Sequence, residues 1–474
     1  MENSVKSFTP KEIFILSLDG TELDITPLCP VFQYYEDIDE PFVKAALKVI
    51  DSGVNLIQTL PIQGGELVTI VMNCAGSGED GVTKELQTYQ FRVWKVFNRI
   101  FDYRVQSYSL ALLPTEAFTN EYQKVVKKLE GKPSSIVQDL LENYLQTDEY
   151  EIETTGNNVS FYPGRKSVTS IIKTLQQRSV SKTGYKNLTL NNKSQKGKVS
   201  SENDENNTTI RGTAGYFFFQ NKNGFCFKSI DKVCDDGKDD FGGNPIIGTY
   251  YATPVTETGT IEAFYTIEKY GFTSEIDLLD KMRRGVYSSK VVTYNFTTGQ
   301  YDEFTYSLED TFENMAKLGY QDNLPKFTIS DAEDKKLPPT RVMSMVVDHE
   351  TWNYDDVVAD PEQGGTVKFP DETKYLIAQG IARRNTLELQ KLQINIPGNS
   401  SLVVGEKIKV YLPNMATEGI RKTDRWDRES SGNYLISKLS HNFLMANESG
   451  PIFETSLTLV RDTYGMEEEP SQVK

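Results

Sequence analysis

Two stretches far apart in the chain carry the same strand pattern in the same order. Gly65-Glu66-Leu67-Val68-Thr69-Ile70-Val71 lines up with Gly405-Glu406-Lys407-Ile408-Lys409-Val410-Tyr411, so Val68 matches Ile408 and Ile70 matches Val410. Further on, Val93-Trp94-Lys95-Val96 matches Ile436-Ser437-Lys438-Leu439, and Ser109-Leu110-Ala111-Leu112 matches Ser456-Leu457-Thr458-Leu459. Successive side chains of a strand point to opposite faces, so apolar residues matched two apart fix a face as well as an element. Chance likeness between alternating strands is the competing explanation. Three matches in one order and at similar spacing instead predict a duplicated antiparallel β-unit. The second copy is then split, with a first hairpin at 212–234, a remainder at 386–462 and a mixed region inserted between. Two copies per chain let a trimer present six units, which turns threefold symmetry into pseudo-sixfold symmetry.

The remaining residues are read around that repeat. Residues 12–18 alternate, stop at Asp19-Gly20 (a hairpin signal) and resume at 22–26; 31–38 reads as another strand. Pro41 predicts a short helix over 42–50, stopped by Ser52-Gly53, with strands following at 55–60, 67–72, 91–103 and 106–112. Helices are predicted over 115–129, 134–146 and 167–178, and residues 186–209 read as a polar surface loop. Beyond it, 215–219 and 225–230 form a hairpin across Asn221-Lys222-Asn223-Gly224; helices follow at 275–284 and 309–318, and strands at 389–396, 402–412, 434–443 and 453–460.

Mainly β structure with α+β insertions is the resulting fold class. Its predicted divisions are a first β-unit at 1–113, a mostly helical peripheral domain at 114–211 and the start of the second unit at 212–239. An inserted α+β domain at 240–385, the rest of the second unit at 386–465 and an acidic tail at 466–474 complete the 474 residues.

Composition narrows the function. With 25 Tyr and 24 Phe the chain is too aromatic to be disordered, and it holds no run of about 18 apolar residues that would span a bilayer. The first residues, Met1 to Phe14, lack a signal peptide's apolar run, so the general secretory route is not expected. Against 51 Lys and Arg stand 67 Asp and Glu, a net charge of −16. Such a surface does not hold nucleic acid by neutralising phosphates. Cys29, Cys74, Cys226 and Cys234 form no CxxC pair and are read as reduced structural thiols.

Chemistry-bearing patterns are weak. A zinc site or a nucleophile–His pair would have to use His349 or His441, both better read as structural. Tyr162-Pro163-Gly164-Arg165-Lys166-Ser167 lacks the first glycine of a phosphate loop and reads as a helix start. Asp235-Asp236-Gly237-Lys238-Asp239-Asp240 lacks the alternating ligands of a calcium loop and reads as an acidic turn. Carboxylate pairs such as Asp355-Asp356 are expected by chance among so many acidic residues. No catalysis, metal or cofactor is therefore expected.

Over most of its length the chain resembles the central baseplate hub subunits of T4-type contractile-tailed bacteriophages. The resemblance rests on Tyr34-Tyr35-Glu36-Asp37-Ile38, Leu60-Pro61-Ile62-Gln63-Gly64-Gly65-Glu66 and Val96-Phe97-Asn98-Arg99-Ile100. It continues in Gly224-Phe225-Cys226-Phe227-Lys228-Ser229-Ile230-Asp231, Ser431-Gly432-Asn433-Tyr434-Leu435-Ile436 and Leu459-Val460-Arg461-Asp462-Thr463-Tyr464-Gly465. The marker positions are Gly65, Glu66, Gly224, Phe225, Phe227, Asp231, Gly405, Glu406, Gly432, Tyr434, Arg461 and Asp462. The glycines are expected at turns that need φ > 0, and Arg461-Asp462 to form a local ion pair or to bridge subunits.

The resemblance implies two tail-tube-like antiparallel β-barrels per chain with peripheral α/β domains, and a homotrimeric torus. Its implied partners are a central spike protein below, a tail tube or tube-initiator protein above and baseplate wedge proteins outside. DNA would pass through the channel without specific binding. The implied location is the virion baseplate, after synthesis in the host cytoplasm, with no membrane insertion. The alternatives are a hub of a contractile injection or secretion apparatus, a spike-associated cell-wall hydrolase and a receptor-binding tail protein.

Overall fold

The computed structural model describes residues 6, 8–53, 56–60, 62–78, 81–103, 105–181, 188–190, 197–199, 208–210, 214–237, 242–252, 261–295, 299, 301–310, 312, 315–319, 338–347, 358–360, 365–367, 373–415, 425–446 and 450–466. Thirteen strands join in one sheet: β1 (Thr9–Leu16), β2 (Glu22–Asp24), β3 (Val31–Asp37), β4 (Lys44–Asp51), β5 (Leu67–Gly78), β6 (Gly81–Asp102), β7 (Val105–Leu113), β8 (Thr249–Tyr251), β9 (Lys269–Ser274), β10 (Gln390–Pro397), β11 (Lys407–Tyr411), β12 (Gly432–Leu444) and β13 (Ile452–Arg461). Their order is β9-β10-β13-β12-β3-β4-β7-β6-β5-β1-β2, with β11 also on β12 and β8 on β11. The protein is thus mostly β, as expected.

The repeat is present as hydrogen bonds. In the first unit the run β3-β4-β7-β6-β5 is antiparallel throughout, and β9-β10-β13-β12-β11 repeats it strand for strand. Gly65 N–H donates to Val93 O (2.7 Å) and Val93 N–H to Glu66 O (2.9 Å). Gly405 N–H donates to Ile436 O (3.0 Å) and Ile436 N–H to Glu406 O (2.9 Å), the same exchange. Val93 faces Leu112 and Val96 faces Leu110; Ile436 faces Leu459 and Leu439 faces Leu457. Even the β-bulge is shared, between Val93 and Lys95 in one unit and between Ile436 and Lys438 in the other. A bulge turns and twists its strand, so both units bend at this shared place, and β6 is irregular again between Phe97 and Ile100, where β12 is not. The copies differ at their last strand, since β1 runs antiparallel to β5 whereas β8 runs parallel to β11.

Several local expectations are corrected. Residues 42–50 are not helical but lie mostly within β4, where Ala45, Leu47 and Val49 are buried between β3 and β7. Residues 55–60 form no strand: Leu56–Thr59 is a short helix whose first amide donates to Asp51 Oδ2 (2.6 Å). The helix expected over 115–129 ends at Tyr122, and 134–146 is Pro133–Leu140 continued by a π-turn, Leu141–Leu145. Within the supposed loop, Leu188–Leu190 pairs with Gly197–Val199 and Thr208–Ile210.

The hairpin Tyr216–Asn221 and Gly224–Ser229 does not join the second unit's sheet, but pairs with Tyr150–Ile152 of the peripheral region. Both its faces are apolar. Phe217, Phe219 and Cys226 enter the core shared by the two units, whereas Tyr216, Phe218, Phe225 and Phe227 enter the peripheral core with Val125, Leu140, Ile172 and Leu175. Thr249–Tyr251 and Lys269–Ser274, read as part of the insertion, are strands of the large sheet instead. The insertion keeps a separate three-stranded sheet, Ser288–Asn295, Tyr301–Ser307 and Arg341–Val347, packed beside the helix Thr373–Leu387. Of the helix expected at 309–318, the structure shows the 3-10 turn Leu308–Asp310.

Candidate functional site

The feature that organises the molecule is the junction where the two units meet edge to edge. Residues 438–444 of β12 pair antiparallel with β3, from Lys438 opposite Asp37 to Leu444 opposite Val31. Lys438 Nζ lies 2.7 Å from Asp37 Oδ2, and Gln33 Nε2 donates to Asn442 Oδ1 (3.0 Å). Beneath that edge Phe443 stacks on Phe453 with ring centroids 4.3 Å apart and on Phe32 at 5.6 Å, while Tyr34 stacks on His441. Aromatic contacts of this kind add about 0.5–1.5 kcal/mol per pair beyond area burial.

Glu36 locks the junction from within. Its buried carboxylate accepts from Tyr34 Oη (2.7 Å), from the Lys222 amide (2.8 Å) and from the Val404 amide (2.8 Å). One side chain so ties the first unit, the hairpin turn and the entry to β11. Burial pushes its pKa up to about 7, against those donors and the Lys222 charge. Nothing local in the sequence marks Glu36 as buried, because its partners Lys222 and Val404 lie far along the chain.

The marker residues fall into three groups. Gly65 (φ +98°) and Gly405 (φ +87°) occupy the matching turn of each unit, and Glu66 Oε1 accepts from the Gln63 and Gly64 amides (2.6 and 3.0 Å). Glu406 is only half-buried; its carboxyl pKa is raised by burial, opposed by Lys228, Lys407 and Lys222. Gly224 (φ +117°) sits where a Cβ would lie 2.3 Å from Glu149 O, and Phe225 N–H donates to that same oxygen (2.9 Å). Phe225 and Phe227 then fill the peripheral core.

The third group lies around the end of β13. Tyr434 Oη donates to Ser430 O (2.6 Å) and meets Gln390 Oε1 (2.9 Å). Arg461 lays its guanidinium 4.6 Å over the Tyr434 ring and donates to Ser431 O (2.9 Å), Gln390 Oε1 (2.8 Å) and Glu429 O. Gly432 leaves room for it, since a Cβ there would stand 3.0 Å from Arg461 Nη1. Burial lowers the Arg461 pKa. Asp462 turns the other way. Its Oδ2 takes Arg383 Nη1 at 2.7 Å and its Oδ1 accepts from the Leu318 amide (3.0 Å). Arg461 and Asp462 therefore form no pair with each other, which corrects the local ion pair.

Arg383 comes from the helix Thr373–Leu387, which no sequence pattern marks; its Nη2 also lies 3.2 Å from Asp231 Oδ1. Burial opposes its charge, but Asp231 and Asp462 outweigh burial and raise its pKa. Asp231 and Asp462, both marker residues, are thus brought together by Arg383, which no motif contains.

His441 is buried with Nδ1 2.9 Å from Thr455 Oγ1, and burial lowers its pKa to about 3, which leaves a neutral imidazole packed among aromatics. Asp235 accepts from the Gly237 and Gly243 amides (3.1 and 2.9 Å), and Ser167 precedes the helix Val168–Gln176. His349 and the Asp355-Asp356 pair lie outside the described residues. Among the described residues no three His, Cys, Asp or Glu side chains converge as a metal site, and no helix is long and apolar enough to cross a membrane. All four cysteines are buried and free.

No family model matches the chain, and no curated protein does. Similar solved structures include the tail protein from Neisseria meningitidis MC58 (TM-score 0.49, 10% identity, 96% of this chain and 97% of that chain). Another is the 43 kDa tail protein of prophage MuSo2 from Shewanella oneidensis (TM-score 0.47, 8% identity, 96% and 99%). The E. coli c3393 protein, described as a type VI secretion component similar in structure to T4 bacteriophage tail proteins, is also similar (TM-score 0.36, 10% identity, 93% and 76%).

Proposed function

We propose that this chain is a structural hub subunit of a contractile-tail baseplate. Three copies form a ring of six similar β-units that adapts a sixfold tail tube above to a threefold central spike below. The observation that carries this reading is the paired β-unit with identical exchange at Gly65/Val93 and Gly405/Ile436. A chain that holds two copies side by side supplies sixfold contacts from a threefold assembly. In the assembled ring each unit takes the tube-like barrel form. Neither unit closes on itself by hydrogen bonds among the described residues, so the ring is where curvature would be completed.

The role is mechanical: to couple tube to spike, to hold wedge proteins on the peripheral regions, and to conduct DNA once the spike has left. The net charge of −16 suits a conduit, because an acidic or neutral wall gives the duplex no counterion release to hold it. The chain acts without cofactor or catalysis, in the virion baseplate. A hub of a contractile injection apparatus would use the same ring and differ in its neighbours. Mass photometry of the isolated chain, with and without the spike, tests the reading. A species of three chains supports it, and a persistent monomer in both conditions overturns it.

A further inference from the structure

Strand equivalence points to a partner for two edges that are open among the described residues. β6 corresponds to β12 and β3 corresponds to β9, through their matched neighbours β7/β13 and β4/β10. Within the chain, β12 uses its far half, residues 438–444, to receive β3. The equivalent half of β6, residues 95–102, pairs with β7 on one side, and no described strand pairs with its other edge. Among the described residues β9 likewise pairs with β10 alone.

Both edges are left in solvent, and each has a bulge that the closed junction lacks, between Phe97 and Ile100 in β6 and between Phe272 and Ser274 in β9. Ile100 and Phe101 are 63% and 69% exposed, whereas Phe443 and Phe32 in the filled junction are 0% exposed. Beyond the end of β9, Ile276 and Leu279 are 78% and 64% exposed. Long open edges bearing apolar side chains invite pairing, and natural sheets usually blunt them. Charge agrees with the match. Lys95 takes the place of Lys438 directly after the shared bulge, and Glu275 follows β9 near the position that Asp37 occupies in β3.

We infer that the open edge of β6 receives β9 of a second copy of this chain, antiparallel, in the way that β12 receives β3. The contact is heterologous, so it propagates around a ring and closes when the last β9 meets the first β6. It rests on the ring reading above and adds to it the two strands that make the joint. Register follows from equivalence. Lys95 and Lys438 share a position, Phe97 matches Ser440, and Ser440 faces Tyr35; Tyr35 faces Lys44 as Ser274 faces Lys391. Phe97 of one copy therefore stands opposite Ser274 of the next.

The full-length double variant Phe97→Cys/Ser274→Cys tests this under mild oxidation, because the four native cysteines are buried. The expected result is interchain disulfides giving linked dimers and trimers on a non-reducing gel, absent from either single variant. A second variant, Ile100→Glu/Phe101→Glu, changes exposed side chains only and is expected to fold yet weaken self-association more than tenfold in mass photometry. A chain that assembles as a trimer but neither cross-links nor responds to the two glutamates would overturn this seam and leave the ring reading standing. A wild-type chain that stays monomeric with and without its spike would overturn both.

Discussion

Arg383 Nη1 lies 2.7 Å from Asp462 Oδ2 with both side chains almost wholly buried, and the same guanidinium reaches Asp231. The helix of the insertion is thereby tied to the end of β13 and to the short helix Ile230–Cys234. Removing one partner of a buried charge pair costs about 3–5 kcal/mol, because the remaining charge is stranded. Arg383→Leu leaves two buried carboxylates and should lower unfolding free energy by about that amount in urea titrations. Arg383→Lys should recover little, since one ammonium cannot reproduce a fork that serves both acids.

The two turn glycines should respond unequally to alanine. Each holds a positive φ that costs an L-residue about 1–2 kcal/mol. At Gly65 a new Cβ meets only Leu18 Cδ2 at 3.6 Å, whereas at Gly405 it would come within 2.4 Å of the Phe219 ring. Overpacking adds about 1–3 kcal/mol. Gly405→Ala should therefore be clearly more destabilising than Gly65→Ala, and equal midpoints in denaturant would contradict the packing described at Phe219.

Glu36 and His441 should give opposite pH dependence. Glu36 has its folded pKa raised from 4.5 to about 7, so its contribution is fully present below 4.5 and is lost as pH rises through 7. His441 has its folded pKa lowered from 6.5 to about 3, so its contribution is present above 6.5 and is lost as pH falls through 3. Between roughly 4.5 and 6.5 the two slopes, each at most about 1.4 kcal/mol per pH unit, largely cancel. Glu36→Gln should make stability rise with pH across that window, and His441→Phe should make it fall. Unfolding free energies measured at several pH values check both signs.

The repeat was legible because strand registers are written locally: alternating apolar residues, a Gly-Glu turn and a Lys one place past the bulge recur in both copies. Residues 42–50 read locally as a helix because Ala, Leu, Lys and Val suit a helix as well as a strand, and only the flanking β3 and β7 decide for the strand. The hairpin at 216–229 reads by its place in the repeat as part of the second unit, although its composition says otherwise. Aromatics on both of its faces imply cores on both sides. Arg383 is illegible for a different reason. The helix that bears it carries Gly380 and two arginines and shows no amphipathic stripe, so nothing local marks it.

Electron cryo-microscopy of the purified full-length chain, viewed down the axis of its assemblies, tests the duplicated-unit ring most directly. The account predicts three chains arranged as six similar lobes around an open channel, with β6 of each chain beside β9 of the next. Twofold dimers, or a threefold particle in which the two units of each chain occupy dissimilar positions, would contradict it.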